Sequence, residues 1–104
     1  MARIPIHPGE ILADELTELA MSAAQLARGI HVPPNRVSPM LAGKRSISAD
    51  TALRLGKWFG TGPQFWLNLQ KAYELDEALR EAGGEIDQII PLQRPAPEIA
   101  PARA

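Results

Sequence analysis

The sequence contains no cysteine among its 104 residues. It therefore offers neither a disulfide framework nor a thiolate metal site. No apolar run approaches the roughly 20 residues that a membrane-spanning helix needs, and the first ten residues lack the apolar core of a signal peptide. These absences predict a small cytoplasmic protein with a single hydrophobic core.

Histidine is also scarce, which limits the chemistry available. His7 and His31 both stand beside predicted turns, without an acid at the spacing of a metal site or catalytic relay, and we interpret them as turn or surface residues. Gly60-Thr61-Gly62 has no third glycine and no preceding strand, so it is a very weak nucleotide-binding signal. The adjacent acids Asp14-Glu15 and Asp76-Glu77 point to different sides of a helix. The sequence predicts no enzyme, no catalytic residue, no metal and no cofactor.

The net charge of -1 hides a strong segregation of charge along the chain. Residues 28–57 carry six basic side chains against the single acid Asp50, whereas the segments on either side each have an excess of acids. The bases are Arg28, Arg36, Lys44, Arg45, Arg54 and Lys57. A basic surface of this kind suits phosphate binding. An ordinary solvated charge run would explain the bases, but not their coincidence with the helical unit described next.

Residues 22–45 predict a helix-turn-helix unit. Ser22-Ala23-Ala24-Gln25 has the form of a capping box, in which the serine and glutamine side chains bond each other's backbone N–H groups. Pro33-Pro34 stops the first helix, and Pro34 also suits the first position of a second helix, which Gly43 ends. Two short helices across a tight turn allow the second one, the recognition helix, to enter a DNA major groove.

Three further helices are predicted around this unit. The first begins at Pro8, with Leu12, Leu16 and Leu19 as its buried stripe. Another begins after Ser48 and ends at Gly60, and a long one runs from about Pro63 to Ala82. We interpret residues 61–64 as a second capping box that starts the long helix.

The predicted domain organisation has three parts. Residues 1–6 form an N-terminal arm, residues 7–83 form a helix-turn-helix DNA-binding and dimerisation domain, and residues 84–104 form an extended or disordered tail. The tail prediction depends on the glycine pair at 83–84 and on four prolines from Pro91 onwards.

The long helix is apolar on more than one face, which is more surface than one small domain easily buries. A partner subunit is the natural cover, and this predicts a homodimer. The predicted interface residues are Trp66, Leu69, Tyr73 and Leu75. The alternative, that all of these residues belong to the internal core, remains open.

Three blocks of sequence resemble the HigA-type antitoxins of toxin-antitoxin addiction modules. They are HPGEIL, SAAQLARGIHVPPNRVSPMLAGKRSISADTALRLGKWFG and GPQFWLNLQKAYEL, which together cover about residues 7 to 75. The resemblance implies an all-α, five-helix fold like the phage repressor domains, of the XRE helix-turn-helix type. It also implies a homodimer that binds a palindromic operator in its own promoter, and a RelE/HigB-like toxin that cuts mRNA and is neutralised by the antitoxin.

The sequence departs from this family at three positions. His31 replaces a usual turn glycine, and histidine tolerates the left-handed conformation better than most residues. Ala42 replaces a common asparagine, which removes a possible phosphate contact. Pro39 lies inside the recognition helix, where it deletes the hydrogen bond to the Asn35 carbonyl. We expect the helix to remain recognisable but kinked or widened at Pro39, because its apolar neighbours are held by core burial.

A phage-repressor-like docking assigns roles to the residues of the DNA-facing surface. Asn35, Arg36 and Ser38 lie near the start of the recognition helix and are predicted to read bases. The predicted phosphate contacts are Ser22, Gln25, Lys44 and Arg45.

The resemblance also implies a toxin-binding surface, for which the sequence offers a charge argument. Glu10, Asp14 and Glu18 recur at i+4 along the first helix, a spacing that costs a few tenths of a kcal/mol per pair in like-charge repulsion. A toxin that binds ribosomal RNA would be basic, so this acidic face is a candidate site. A merely solvated face, the N-terminal arm and the proline-rich tail are the alternatives.

The sequence thus predicts a dimeric, sequence-specific repressor that is also an antitoxin. Two alternatives stay open at this point. One is a toxin-binding module in which Pro39 has weakened or abolished DNA binding, and the other is an orphan repressor without a toxin.

Overall fold

Five helices follow one another in the part of the chain that the computed structural model describes, residues 5–93. They are α1 (Pro8–Glu18), α2 (Ala23–Ile30), α3 (Pro34–Leu41), α4 (Ala49–Phe59) and α5 (Pro63–Asp87). No β-strand occurs within these residues. The predicted all-α, five-helix, phage-repressor-like fold is therefore confirmed.

Side chains at the helix N-termini explain where the first, second and fourth helices begin. Ser22 Oγ accepts the Gln25 N–H at 3.1 Å, and Gln25 Oε1 accepts the Ser22 N–H at 2.8 Å, which confirms the predicted capping box of α2. Ser48 caps α4 by accepting the Thr51 N–H at 3.3 Å. His7 caps α1 through Nδ1, which accepts the Gly9 N–H at 2.9 Å.

The predicted capping box at residues 61–64 is wrong. Gly62 is the N-cap of α5 and has no side chain to offer, because Pro63 takes the first helical position and leaves Thr61 one residue too early. The Thr61 hydroxyl donates instead to the Gly62 carbonyl at 2.9 Å. Pro63 itself begins the helix as predicted.

Left-handed residues end the helices where the sequence predicts. His31, with φ 64° and ψ 48°, is the C-cap of α2, and Gly60, with φ 74°, is the C-cap of α4. Gly43, with φ 75°, follows the α3 C-cap Ala42. His31 therefore adopts the left-handed conformation expected of the usual turn glycine between α2 and α3.

His7 is the first residue whose predicted environment is wrong, since it is buried, with only 6 % of its surface exposed. Its ring packs edge-on against Tyr73 of α5, with 4.8 Å between the ring centroids. Burial lowers the pKa of His7, although the charges of Glu10 and Glu77 act in the opposite direction. A neutral ring keeps Nδ1 available as the acceptor that caps α1.

The core lies between α1, α2, α3, α4 and the first turns of α5. Its buried apolar residues are Leu12, Leu16, Leu26, Ala27, Ile30, Val32, Val37, Met40, Ile47, Ala52, Leu55 and Trp66. The prediction that Leu19 is buried is wrong. Helix α1 ends at Glu18, and Leu19 is its half-exposed C-cap.

The long helix extends past its predicted end at Ala82 and reaches Asp87. Gly83 and Gly84 lie inside it. A glycine lowers helix stability by only about 1 kcal/mol relative to alanine, whereas a proline breaks the helix. The predicted tail is therefore wrong for residues 84–87. Residues 94–104 of the predicted tail and residues 1–4 of the predicted arm lie outside the described residues, and Pro5 and Ile6 have no regular structure.

The length of α5 sets the shape of the molecule. Its 25 residues span about 37 Å. The molecule is correspondingly elongated, with extents of 56 × 31 × 22 Å along its principal axes. Only Trp66 and Gln70 of this helix are buried, so its second half projects beyond the bundle. None of the helices within residues 5–93 combines the length and the hydrophobicity that a membrane span requires.

Candidate nucleic-acid interface

The recognition helix α3 is fixed by its buried side. Val37 and Met40 are fully buried in the core, and α3 packs against both α2 and α1. This packing leaves Asn35 and Ser38 exposed on the solvent side of the helix, and Arg36 partly exposed beside its buried side. All three predicted base-reading residues are therefore accessible from solvent.

Pro39 does not interrupt α3. The helix runs from Pro34 to Leu41 with the proline inside it, so the prediction that it stays recognisable is confirmed. Beyond the proline, the Ala42 N–H donates to the Ser38 carbonyl at 3.1 Å, and the Lys44 N–H donates to the Pro39 carbonyl at 2.8 Å. A kink at Pro39 stays a prediction.

The predicted phosphate-binding residues are exposed at both ends of the helix-turn-helix unit. Lys44 and Arg45 follow the left-handed Gly43 after α3. Ser22 and Gln25 lie at the start of α2, where the positive end of the helix dipole favours a phosphate. The capping box uses their oxygen atoms as acceptors, and this leaves the serine hydroxyl proton and the glutamine NH₂ group able to donate.

An ion-pair network that the sequence analysis missed joins α3 to α4. Asp50 Oδ2 accepts one hydrogen bond from Arg36 Nη1 at 2.8 Å and another from Arg54 Nε at 2.9 Å. Arg54 Nη1 also donates to the carbonyls of Ile30 and His31, at 2.9 and 3.1 Å, at the end of α2. The i,i+4 spacing of Asp50 and Arg54 could have predicted their ion pair from the sequence. No local spacing signals the contact between Arg36 and Asp50, which are 14 residues apart.

Asp50 is charged at neutral pH in this network. The hydrogen bonds from Arg54 and then Arg36 lower the pKa of Asp50 below its ordinary value. The Asp50 carboxylate thus lies among the basic side chains of the predicted DNA-binding surface. It holds Arg36, one of the residues predicted to read nucleobases.

The predicted dimer interface is only partly available to a partner. Trp66 is 2 % exposed and packs against Phe59 and Phe65 in the protein's own core, so its assignment to the interface is wrong. Leu69 packs partly against the same core, and Tyr73 contacts His7 and donates to Glu77 at 2.9 Å. Leu75, which is 64 % exposed, remains open.

A longer apolar stripe continues from Leu75 along the projecting part of α5. Its members follow one another at alternating spacings of three and four residues, the pattern of a coiled-coil seam. They are Ala72, Leu75, Leu79, Ala82 and Ile86, and we call this set the α5 seam. The sequence analysis missed Ile86, the last member, because it ended the helix at Ala82.

The candidate toxin-binding residues are exposed on one helix. Glu10, Asp14 and Glu18 all lie on the solvent side of α1. A cavity of about 160 Å³ adjoins this helix and is lined by Ile11, Glu15, Phe59, Thr61, Phe65 and Trp66. Among the described residues, the buried Trp66 Nε1 has no hydrogen-bond partner.

Comparison with known proteins places this geometry in a family. No protein-family model matches the chain. The sequence is 47 % identical to virulence-associated protein I of Dichelobacter nodosus, over 88 % of this chain and 84 % of that protein.

Two of the similar solved structures show the likeness in both fold and sequence. The Pseudomonas aeruginosa antitoxin HigA, solved with the higBA promoter, is 48 % identical with a TM-score of 0.81, over 86 % of this chain and 99 % of the other. An addiction module antidote protein of the HigA family from Coxiella burnetii is 56 % identical with a TM-score of 0.83, over 88 % of this chain and 100 % of the other. These similarities extend over the helix-turn-helix unit and the long C-terminal helix, and the chain belongs to the HigA family of helix-turn-helix antitoxins.

Proposed function

We propose that this antitoxin binds a palindromic operator in its own promoter as a homodimer and thereby represses its toxin-antitoxin operon. The observation that carries the proposal is the arrangement around α3. Exposed polar side chains at its N-terminal end stand, along the chain, between two sets of predicted phosphate-binding residues, one at the start of α2 and one after Gly43. The similar Pseudomonas aeruginosa antitoxin was solved with promoter DNA, which supports the same activity here.

Each part of this surface has a distinct role in the proposed complex. Asn35 can bond an adenine edge, Arg36 can bond a guanine edge, and Ser38 can bond either kind of base. Lys44 and Arg45, like Ser22 and Gln25, contact phosphates and supply affinity that does not depend on sequence.

Two alanine variants separate base reading from phosphate binding. Arg36→Ala is expected to lower the preference for operator over unrelated DNA by about tenfold or more, because a bidentate contact is worth about 1–3 kcal/mol of discrimination. Lys44→Ala is expected to weaken operator and unrelated DNA alike, and to reduce the slope of log affinity against log salt by about one. Fluorescence anisotropy titrations at several salt concentrations measure both effects.

The matched control in this comparison is Lys71→Ala, which removes an exposed lysine from α5, away from the helix-turn-helix unit. It is expected to leave both affinities close to those of the wild type. If Arg36→Ala weakened all sequences equally while Lys44→Ala relaxed the sequence preference, the proposed docking of α3 would be reversed.

The dimer in this proposal forms through the α5 seam. A strict alternation of three- and four-residue spacings is self-complementary, because two identical helices can insert the same residues into each other's gaps. Leu75 and Leu79 are 64 % and 59 % exposed, so a second copy would cover surface that the protomer leaves in water. A two-fold axis at the seam would present two α3 helices to half-sites about 34 Å apart along the duplex.

The antitoxin function that we propose is neutralisation of a RelE/HigB-like, mRNA-cleaving toxin. Glu10, Asp14 and Glu18 form an exposed acidic face on α1, and a basic RNA-binding protein would complement its charge. The adjoining cavity could receive one apolar side chain of the toxin, since its volume of about 160 Å³ is well below that of a metabolite site.

Charge reversal on α1 tests this surface. The triple variant Glu10→Lys, Asp14→Lys, Glu18→Lys is expected to lose binding to the small basic toxin encoded beside the antitoxin, while its dimerisation and operator affinity remain. The control replaces three exposed acids near the end of α5, Glu81, Glu85 and Asp87, with lysine. It changes the net charge by the same amount. Pull-down assays and toxin-dependent growth arrest provide the readouts.

Two results would contradict the assignment to α1. If the α1 triple variant still neutralised toxin while deletion of the residues after Pro91 abolished neutralisation, the tail would be the site. If no small basic toxin were encoded beside this antitoxin, the toxin part of the proposal would be wrong.

A further inference from the structure

Asp50 connects the three parts of the DNA-binding unit although it lies outside the helix-turn-helix itself. It stands in the first turn of α4 and accepts hydrogen bonds from Arg36 on α3 and from Arg54 on its own helix. Arg54 in turn bonds the Ile30 and His31 carbonyls at the end of α2. The end of α2, the start of α4 and the recognition helix are thus joined through one carboxylate oxygen.

The contact with Asp50 leaves most of the Arg36 guanidinium free to bind DNA. Arginine has five N–H donors, and Asp50 receives one of those on Nη1. The other edge of the group, formed by Nη2 and Nε, can still make the two parallel bonds that a guanine accepts at O6 and N7. The Arg36 side chain is 29 % exposed and that of Asp50 is 56 % exposed, so the pair stands at the surface where DNA would approach.

We infer that Asp50 is a positioning residue for base recognition, which holds Arg36 so that its free edge addresses a guanine in each operator half-site. The inference rests on the proposed function, since it requires that Arg36 reads bases. It goes further by assigning part of the sequence specificity to a residue of α4 that does not itself need to touch a base.

The physical reason lies in what Arg36 would do without Asp50. A flexible arginine on a DNA-facing surface can reach phosphates in many conformations, and phosphate contacts strengthen binding to every sequence. A guanidinium held at one end has fewer accessible conformations, so it binds well only where the base geometry matches its free edge. The negative charge of Asp50 also opposes the approach of phosphates.

Asp50→Asn tests the inference, because it keeps the shape of the side chain and removes the charge that holds both arginines. We expect affinity for the operator to fall about tenfold and affinity for unrelated DNA to rise about two- to fivefold. These opposite changes are the signature of lost positioning. Asp50→Glu, which restores the carboxylate, is expected to recover part of the discrimination.

Three other results for Asp50→Asn would overturn the inference. Equal losses for both DNAs would mean that Asp50 only supports the fold, and equal gains would mean that it only repels DNA. Unchanged affinities would mean that it has no role in recognition. Asp87→Asn, the same substitution at the last residue of α5, is the matched control and should change neither affinity.

A second variant keeps the inference testable if the α4 substitution disturbs folding, which circular dichroism would detect. Arg36→Lys keeps the positive charge but loses the fork, so it should lose discrimination while retaining affinity for unrelated DNA. Unchanged discrimination in Arg36→Lys would overturn the inference. Where circular dichroism shows that Asp50→Asn folds, adding it to Arg36→Lys should cause no further loss of discrimination, and additive losses would also overturn the inference.

The wild-type titration distinguishes failure of this inference from failure of the proposed function. A wild-type protein that binds its promoter no better than unrelated DNA would disprove the proposed function and the inference together. If the wild type prefers its promoter and Asp50→Asn retains that preference, the repressor function stands and only the role of Asp50 is disproved.

Discussion

Replacing Gly56 with alanine is expected to lower the free energy of unfolding by about 2–4 kcal/mol, or the melting temperature by roughly 10–25 °C. Gly56 lies in the middle of α4, and its carbonyl accepts the Gly62 N–H at 3.2 Å from the loop that leads into α5. An added Cβ would fall 2.6 Å from the Gly62 carbonyl oxygen and even closer to the backbone atoms next to it. Backbone cannot rotate away as a side chain can, so α4 and α5 would have to separate.

This cost exceeds the favourable effect of alanine in a helix. Alanine is preferred over glycine by about 1 kcal/mol in a helix interior, which acts in the opposite direction to the clash. Gly83→Ala provides the matched control, because Gly83 also lies within a helix and an added Cβ there would meet nothing within 4 Å. It is expected to raise the free energy of unfolding by about 0.5–1 kcal/mol.

Thermal and urea unfolding of the two alanine variants measure these effects. Opposite signs for Gly56→Ala and Gly83→Ala would confirm that α4 and the start of α5 are in backbone contact. If both variants were stabilised, that close contact would be disproved.

Local signals explain why so much of the fold could be predicted from the sequence. The capping box at Ser22, the serine cap at Ser48 and the prolines at 8, 34 and 63 each act within a few residues of the helix start that they mark. The left-handed residues at 31, 43 and 60 act in the same way at helix ends. Interactions of such short range are visible in a sequence without knowledge of the fold.

The residues that were misplaced depend on contacts that are distant in the sequence. His7 is buried because Tyr73 of α5 covers its ring, and Trp66 is buried by neighbours that the helical pattern alone does not identify. The contact between Arg36 and Asp50 requires α3 and α4 to meet at one particular angle. Spacing along a helix predicts which residues share a face, but not which faces are brought together.

The end of α5 was misplaced for a different reason. The glycine pair at 83–84 is a valid signal for a helix end, yet glycine only weakens a helix where proline would break it. The continuation to Asp87 places Ile86 on the same face as Leu75 and Leu79. The structure thereby extends the apolar stripe, on which the proposed dimer depends, beyond Ala82 to Ile86.

Disrupting that stripe is the change with the largest expected effect on operator binding. The double variant Leu75→Glu, Leu79→Glu places two carboxylates on each helix of the α5 seam. In a dimer, four charges would be buried close together, which costs several kcal/mol. We therefore expect a monomer at micromolar concentration, measured by analytical ultracentrifugation.

Loss of the dimer should lower operator affinity by about 100-fold or more. In a dimer, binding of one half-site places the second α3 at a high effective concentration near the other half-site, and a monomer lacks this advantage. The free energy of unfolding of the protomer should change little, because Leu75 and Leu79 are mostly exposed in it. Affinity for a single half-site should stay close to that of a wild-type protomer, since the helix-turn-helix unit is unchanged.

Leu19→Glu is the matched control, because it introduces a carboxylate at a half-exposed leucine that lies off the seam, at the end of α1. This variant should remain dimeric and bind the operator as the wild type does. A Leu75→Glu, Leu79→Glu variant that stayed dimeric and kept full operator affinity would place the two-fold axis elsewhere on the molecule. A variant that became monomeric without losing operator affinity would instead show that one protomer is sufficient for recognition, and the inverted repeat would then have no basis in the protein.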